Sequence, residues 1–312
     1  MASLEERVQE LKKKYGAKAI DNAARLNSRG FPEMIEWRDE LDPHYTKLWL
    51  DFVYGGLYAR GVLDERTRYL VVIAQFIAQN DTEMLDGTMR SALEHGATPR
   101  EILEVTFQTT VYVGYPNGAR ATRILRGILT ELGRMDEITK TQPPIEGRNA
   151  ERSLERERGT WGVSDKEWPR REELMQKYGW HGISAGLRLQ PTHHPHGVER
   201  LDRVDPPFLK LWLDFIYGGL YSRGVLDDKT RLLCMVGICA VIDEQIQGEN
   251  HVKAALVLGA TPREVLEVAL QATIYAGMPR SLRFIGIIER VLEEQGRGGE
   301  LEKVKPALDA FK

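Results

Sequence analysis

Only two cysteines occur in 312 residues, Cys234 and Cys239, both in the apolar stretch 232–242. Five positions apart on a helix they point in different directions, which excludes a local disulfide. Two buried small hydrophobes in a reducing, cytoplasmic setting are the expectation. No run of about 18 apolar residues is present, so no membrane-spanning helix is expected. The opening Met1-Ala2-Ser3-Leu4-Glu5-Glu6-Arg7 lacks the basic-then-apolar order of a secretory leader, and none is expected. Alternating strand patterns with turn dipeptides are missing too, which argues against a β fold. Charge of one sign is scarce: the formal net charge of -3 gives no general pull toward nucleic acid or anionic lipid.

The chain does contain a repeat of itself at a shift of 163 residues. Between Lys47 and Arg68, only Val53, Ala59, Glu65 and Arg66 differ from their counterparts in the stretch from Lys210 to Arg231. The same shift pairs Tyr15-Gly16 with Tyr178-Gly179, Pro32 with Pro195, the segment 96–101 with 259–264, and Tyr112 with Tyr275. A period this long means duplicated domains rather than a solenoid. Two domains of about 150 residues suit the length, and each can bury its own core.

Both copies read as helical. Asp64 and Asp227 stand just before apolar helical runs and are expected N-caps. Thr98-Pro99-Arg100-Glu101 is a capping box with proline at the first helical position, repeated from Thr261 to Glu264. Gly96 and Gly259 are expected to end the preceding helices. Pro116 and Pro279 open a last helix in each copy. The expected organisation is a first domain over 1–140, a charged linker over 141–169 containing Pro143-Pro144, a second domain over 170–298 and a tail over 299–312.

Several spaced motifs then carry a family resemblance. Leu226-Asp227, Arg231, the polar segment from Asp243 to His251, Gly259-Ala260-Thr261, the segment 264–267 and Tyr275-Ala276-Gly277-Met278-Pro279 resemble the carboxymuconolactone decarboxylase family. The resemblance covers about 40–135 and 203–298. It implies an all-α fold: two tandem helical domains related by pseudo-twofold symmetry. It further implies assembly into homo-oligomers, trimer favoured and dimer next, active sites near subunit interfaces, and activities that include cofactor-free lactone decarboxylation in aromatic-compound catabolism. Its alkylhydroperoxidase D-like branch reduces peroxides with a Cys-x-x-Cys followed by histidine. Anchored on His251, those cysteine positions are Glu244 and Gln247, and in the first copy Asp81 and Met84. No thiol stands at any of them, so that route is excluded.

What remains is a polar constellation in the second copy. If this stretch is helical, Glu244 and His251, seven residues apart, share a face, with Gln247 or Gly248 between them. A carboxylate can fix an imidazole's tautomer and support proton transfer near neutral pH, which makes His251 and Glu244 the candidate catalytic pair. A histidine that merely packs at a solvated helix start is the structural alternative, and Glu249 reads as surface. The first copy has Thr88 where His251 stands and is expected to lack an independent catalytic centre. It then serves as scaffold or as one wall of a pocket. His95, beside Gly96, reads as a helix C-terminal residue.

His193, His194 and His196 are specific to the second copy and are expected on a loop. They invite a zinc reading, against which Pro195 stiffens the segment and adjacent imidazoles do not readily face one ion. No metal is therefore expected, and His194 and His196 are candidate substrate contacts. Gln247, Tyr217, Tyr275 and Arg231 complete that candidate set. Arg68 and Arg231 appear in both copies, which equally suits structural ion pairs.

The reading is a cofactor-independent lyase acting on a small organic acid or lactone. An apolar pocket favours loss of the carboxylate's charge, a donor stabilises the enolate-like oxygen, and His251 reprotonates carbon. An isomerase, hydratase or carbon-carbon bond lyase on the same groups is one alternative. A catalytically silent ligand-binding or assembly protein is another.

Overall fold

The computed structural model describes residues 3–27, 29–143, 164–190 and 194–303. Every regular element among them is helical. The first repeat runs α1 (Leu4–Tyr15), α2 (Ala17–Leu26), α3 (Glu33–Leu41), α4 (Pro43–Val53), α5 (Glu65–Gln79), α6 (Thr82–Glu94), α7 (Pro99–Val113) and α8 (Tyr115–Glu131). The second runs α9 (Trp168–Tyr178), α10 (Trp180–Leu189), α11 (His194–Val204), α12 (Pro206–Trp212), α13 (Asp228–Ile242), α14 (Gln245–Val257), α15 (Pro262–Ala276) and α16 (Met278–Glu294).

The expected caps form. Asp64 accepts from the Thr67 amide at 2.9 Å and Asp227 from the Thr230 amide at 2.8 Å. Both capping boxes close at Thr98/Glu101 and Thr261/Glu264. Gly96 and Gly259 adopt φ of +91° and +96°, as a helix-ending glycine can without strain. Two short helical turns add to these, Asp136–Thr139 at the end of the expected first domain and Glu300–Lys303 in the expected tail. α9 begins at Trp168, two residues inside the expected linker, with Pro169 in its first turn, and most of that linker lies outside the described residues.

Helices α5 and α13 are predominantly apolar after their first turn and buried over most of their length, with Arg68, Gln75 and Arg231 among the buried residues. They pack against one another at the centre of the molecule. Gly237 on α13 permits this approach, because a Cβ there would stand 2.8 Å from Val71 Cγ1 on α5. The other helices of each repeat wrap this pair. The contact is reciprocal: Arg231 reaches Gln108, and Arg68 reaches Gln271, its counterpart. Such exchange of equivalent contacts is what a twofold axis produces.

The duplicated apolar strip on α4 and α12 behaves differently from expectation. The duplicated strips Leu48-Trp49-Phe52 and Leu211-Trp212-Phe215 read from the sequence as a face that pairs the two copies within the chain, yet Leu48, Phe52, Leu211 and Phe215 are exposed, Leu211 by 68%, and Trp49 and Trp212 are only partly buried. The more extensively apolar α5 and α13 outcompete the one-sided strip for the interior, and the strip is left facing outward.

Candidate active site

Two related centres flank the α5–α13 axis, and each is built from both repeats. In the first, the hydroxyls of Tyr58 and Tyr275 are hydrogen-bonded, with the Arg68 guanidinium 4.9 Å from the Tyr58 ring centre. In the second, Tyr221 bonds Tyr112, and Arg231 lies 5.2 Å from the Tyr221 ring centre. Tyr112 and Tyr275 sit near the ends of α7 and α15 and cross the axis into the opposite repeat's centre.

His251 belongs to the second centre. Its Nε2 lies 2.8 Å from the Tyr112 hydroxyl, and the rings meet edge to face at 5.7 Å. Burial pushes the Tyr112 and Tyr217 phenols well above their ordinary range and Tyr221 up to about 12. These phenols therefore stay protonated at neutral pH. Tyr112 can donate to Nε2 and leave the imidazole proton on Nδ1. The arrangement is a hydroxyl–hydroxyl–imidazole chain able to hold and pass one proton.

This centre is closed. His251 is fully buried, and Tyr217 and Tyr221 are nearly so. His194 forms the wall. Its ring is parallel to that of Trp212 at 5.8 Å and edge-on to Tyr217 at 4.5 Å. It occupies the space beside Gly186, where a Cβ would stand 2.0 Å from its Nε2. Alanine stands at the matching position of the first repeat, Ala23, so the wedge belongs to the second alone. Tyr217 donates to Gln190 Oε1 at 3.2 Å.

The remaining sequence-predicted residues are distributed as follows. Glu244 is the N-cap of α14 and accepts from the Gln247 amide at 3.2 Å, so its carboxylate is engaged by the backbone two turns before His251. Arg231 is fully buried and held by Glu104 at 3.1 Å and Gln108 at 2.9 Å. Tyr275 stands in the first centre rather than with His251. Its repeat-mate Tyr112 takes that place, because the helix ends cross the axis. His194 begins a helix instead of lying on a loop, and His196, two residues further along the same helix, is exposed. His193 lies outside the described residues, among which no cluster of metal-ligating side chains occurs. His95 bonds the Ser91 carbonyl and Glu65, and Glu249 pairs with Lys253 and Arg290 at the surface.

Sequence reasoning missed Tyr112 as a partner of His251. The available signal was its repetition as Tyr275, but nothing local says that the helix end serves the other repeat.

The first centre has an open cavity of about 340 Å³. Asn27, Arg38, Trp49, Tyr54, Asp81 and Thr88 line it together with Tyr58 and Tyr275. Thr88 stands where the second centre has His251, so no imidazole faces this space from α6.

Burial pushes the Cys234 thiol up to about 12 and that of Cys239 well above its ordinary range. Since the thiolate is the reactive form, neither cysteine should react with a soluble disulfide reagent in the folded protein. Both should titrate after denaturation. Rapid labelling of either in the folded state would contradict the packing described.

Among the described residues no helix is long and apolar enough to cross a membrane. The profile of the carboxymuconolactone decarboxylase family matches residues 43–127 and 206–290, together more than half of the chain. An uncharacterized 15.0 kDa protein of Paracoccus denitrificans is 25% identical over 126 residues, 40% of this chain and 94% of that protein. The 4-carboxymuconolactone decarboxylase of Acinetobacter baylyi is 26% identical over 108 residues, 35% of this chain and 81% of that enzyme. A crystal structure of a provisionally named gamma-carboxymuconolactone decarboxylase subunit from Burkholderia xenovorans superposes with a TM-score of 0.51. At 21% identity, over 88% of this chain and 96% of that one, the likeness is one of fold.

Proposed function

Because the chain belongs to the carboxymuconolactone decarboxylase family, we propose that it is a cofactor-independent lyase that decarboxylates a small unsaturated lactone or keto acid. The 2.8 Å contact between His251 and Tyr112 carries the reading, since it sets a proton-transfer chain in a buried centre. Loss of carbon dioxide leaves an electron pair delocalised onto an adjacent carbonyl oxygen. Tyr221 donates to that oxygen, and His251, which takes up a proton from solvent as substrate enters, gives it as imidazolium to carbon and is left neutral, accepting again from Tyr112. Substrate enters when the wall of His194, Trp212 and Tyr217 moves aside. Glu244 and Gln247 orient the first turns of α14, and with them His251.

Collection of carbon dioxide released from a panel of small lactones and keto acids tests the proposal. Release that depends on His251 supports it. Water addition, double-bond migration or carbon-carbon cleavage without carbon dioxide would favour the isomerase, hydratase or carbon-carbon bond lyase readings of the same centre. One observation favours a silent, ligand-binding role: the centre with the imidazole is closed, and the open cavity lacks one. Tight binding of acids with no turnover of any kind would select it.

The exposed strips around Leu48, Phe52, Leu211 and Phe215 supply the apolar surface for a homo-oligomer. Light scattering at micromolar concentration should give a mass near three chains of 35.5 kDa, or else two. Leu48→Asp together with Leu211→Asp should reduce it to one. A single-chain mass for the parent protein, unchanged on concentration, would end the oligomer proposal.

A further inference from the structure

We propose that the cavity of the first repeat is a separate binding site for a small organic monocarboxylate, with Arg38 as the group that pairs with the carboxylate. Arg38 lies on α3, outside the residues that match the family, and lines the 340 Å³ cavity. Its guanidinium is sandwiched between two indoles, 4.2 Å from the Trp37 ring centre and 4.5 Å from that of Trp49. Its hydrogen bond is to the Met34 carbonyl, and among the described residues no carboxylate pairs with it. A desolvated cation held flat on aromatic faces, without a counter-charge, keeps donors available for a planar anion.

The rest of the lining fits an unsaturated or aromatic body. Val53, Val72, Phe76 and Ile274 supply apolar surface, and Tyr54 and Tyr58 present phenols that burial keeps protonated. Arg68 also lines the cavity, but it is bonded at 3.2 Å to Gln271 and lies beside the buried Glu267 carboxylate, which leaves Arg38 as the cation for the ligand. The acidic lining residue, Asp81, is occupied as the N-cap of α6, accepting from the Met84 amide at 3.1 Å. The volume stands near the lower end of the roughly 300–1,000 Å³ usual for ligand sites, which favours a ligand of about one ring.

The second repeat does not reproduce the site. Leu201 stands where Arg38 does, and His194 fills the space beside Gly186. The two centres thus differ in kind: one has an imidazole and is closed, the other is open and has Arg38. With Thr88 facing it, the first centre binds without turning over its ligand. This assignment is independent of whether His251 performs chemistry.

Calorimetric titration of the full chain with benzoate, beside the uncharged benzamide, tests the proposal. Benzoate should saturate at one per chain and benzamide should not. Arg38→Leu, which installs the second repeat's residue, should weaken benzoate binding by about tenfold or more, the loss expected of a charge-assisted pair. Thr88→Met should weaken it by filling the cavity without touching Arg38, and it judges the proposal if Arg38→Leu fails to fold. Circular dichroism and melting establish folding for each variant. No benzoate binding to the parent, equal binding of benzamide, or undiminished affinity in both folded variants would overturn the assignment.

Discussion

Glu104→Ala is expected to lower the stability of the chain by about 3–5 kcal/mol, because it strands a buried cation. Glu104 is fully buried on α7, and its carboxylate meets Arg231 at 3.1 Å and Arg223 at 3.3 Å across the junction between repeats. Gln108 ties the same guanidinium and also donates to the Arg231 carbonyl at 3.1 Å. Removing one partner leaves the other desolvated, and neither repeat can repair it alone. Urea unfolding of Glu104→Ala against the parent measures the loss. Arg231→Met, which removes the buried charge while keeping bulk, leaves Arg223 to pair with Glu104 and should cost less. A loss below about 1 kcal/mol for Glu104→Ala would mean that the pair behaves like a solvated one.

His251→Ala is expected to reduce turnover by about 10²–10⁴-fold, the usual contribution of a general acid or base. Thr88→Ala, at the matching place in the first repeat, should have a much smaller effect, since a threonine hydroxyl cannot exchange a proton near neutral pH. The comparison is made as kcat on the best substrate of the lactone and keto-acid panel. Equal and mild effects of the two substitutions would remove His251 from the chemistry.

Much of the fold is legible in the residues themselves. The capping aspartates, the two capping boxes and the helix-ending glycines are local signals, and local hydrogen bonds decide them. The repeat likewise announces two copies of one fold. How those copies meet is decided by competition among several apolar surfaces. There the largely apolar α5 and α13 prevail over the strip around Leu48 and Leu211, for which no local pattern gives a ranking. His251 stands out in the sequence, but its partner Tyr112 is 139 residues away in the other repeat. The wedge of His194 beside Gly186 and the indole sandwich around Arg38 also escape sequence reading. Each depends on side chains from separate helices converging in space.

The central claim is that the proton-transfer centre is shared, with His251 from one repeat and Tyr112 from the other. Tyr112→Phe and Tyr275→Phe remove the same hydroxyl from the two related centres, so their kcat values test it directly. Tyr112→Phe should show the larger loss, about tenfold for a buried hydrogen bond to the reacting group, with folding intact. A larger loss in Tyr275→Phe, with Tyr112→Phe close to the parent, would contradict the account and move the chemistry to the open cavity.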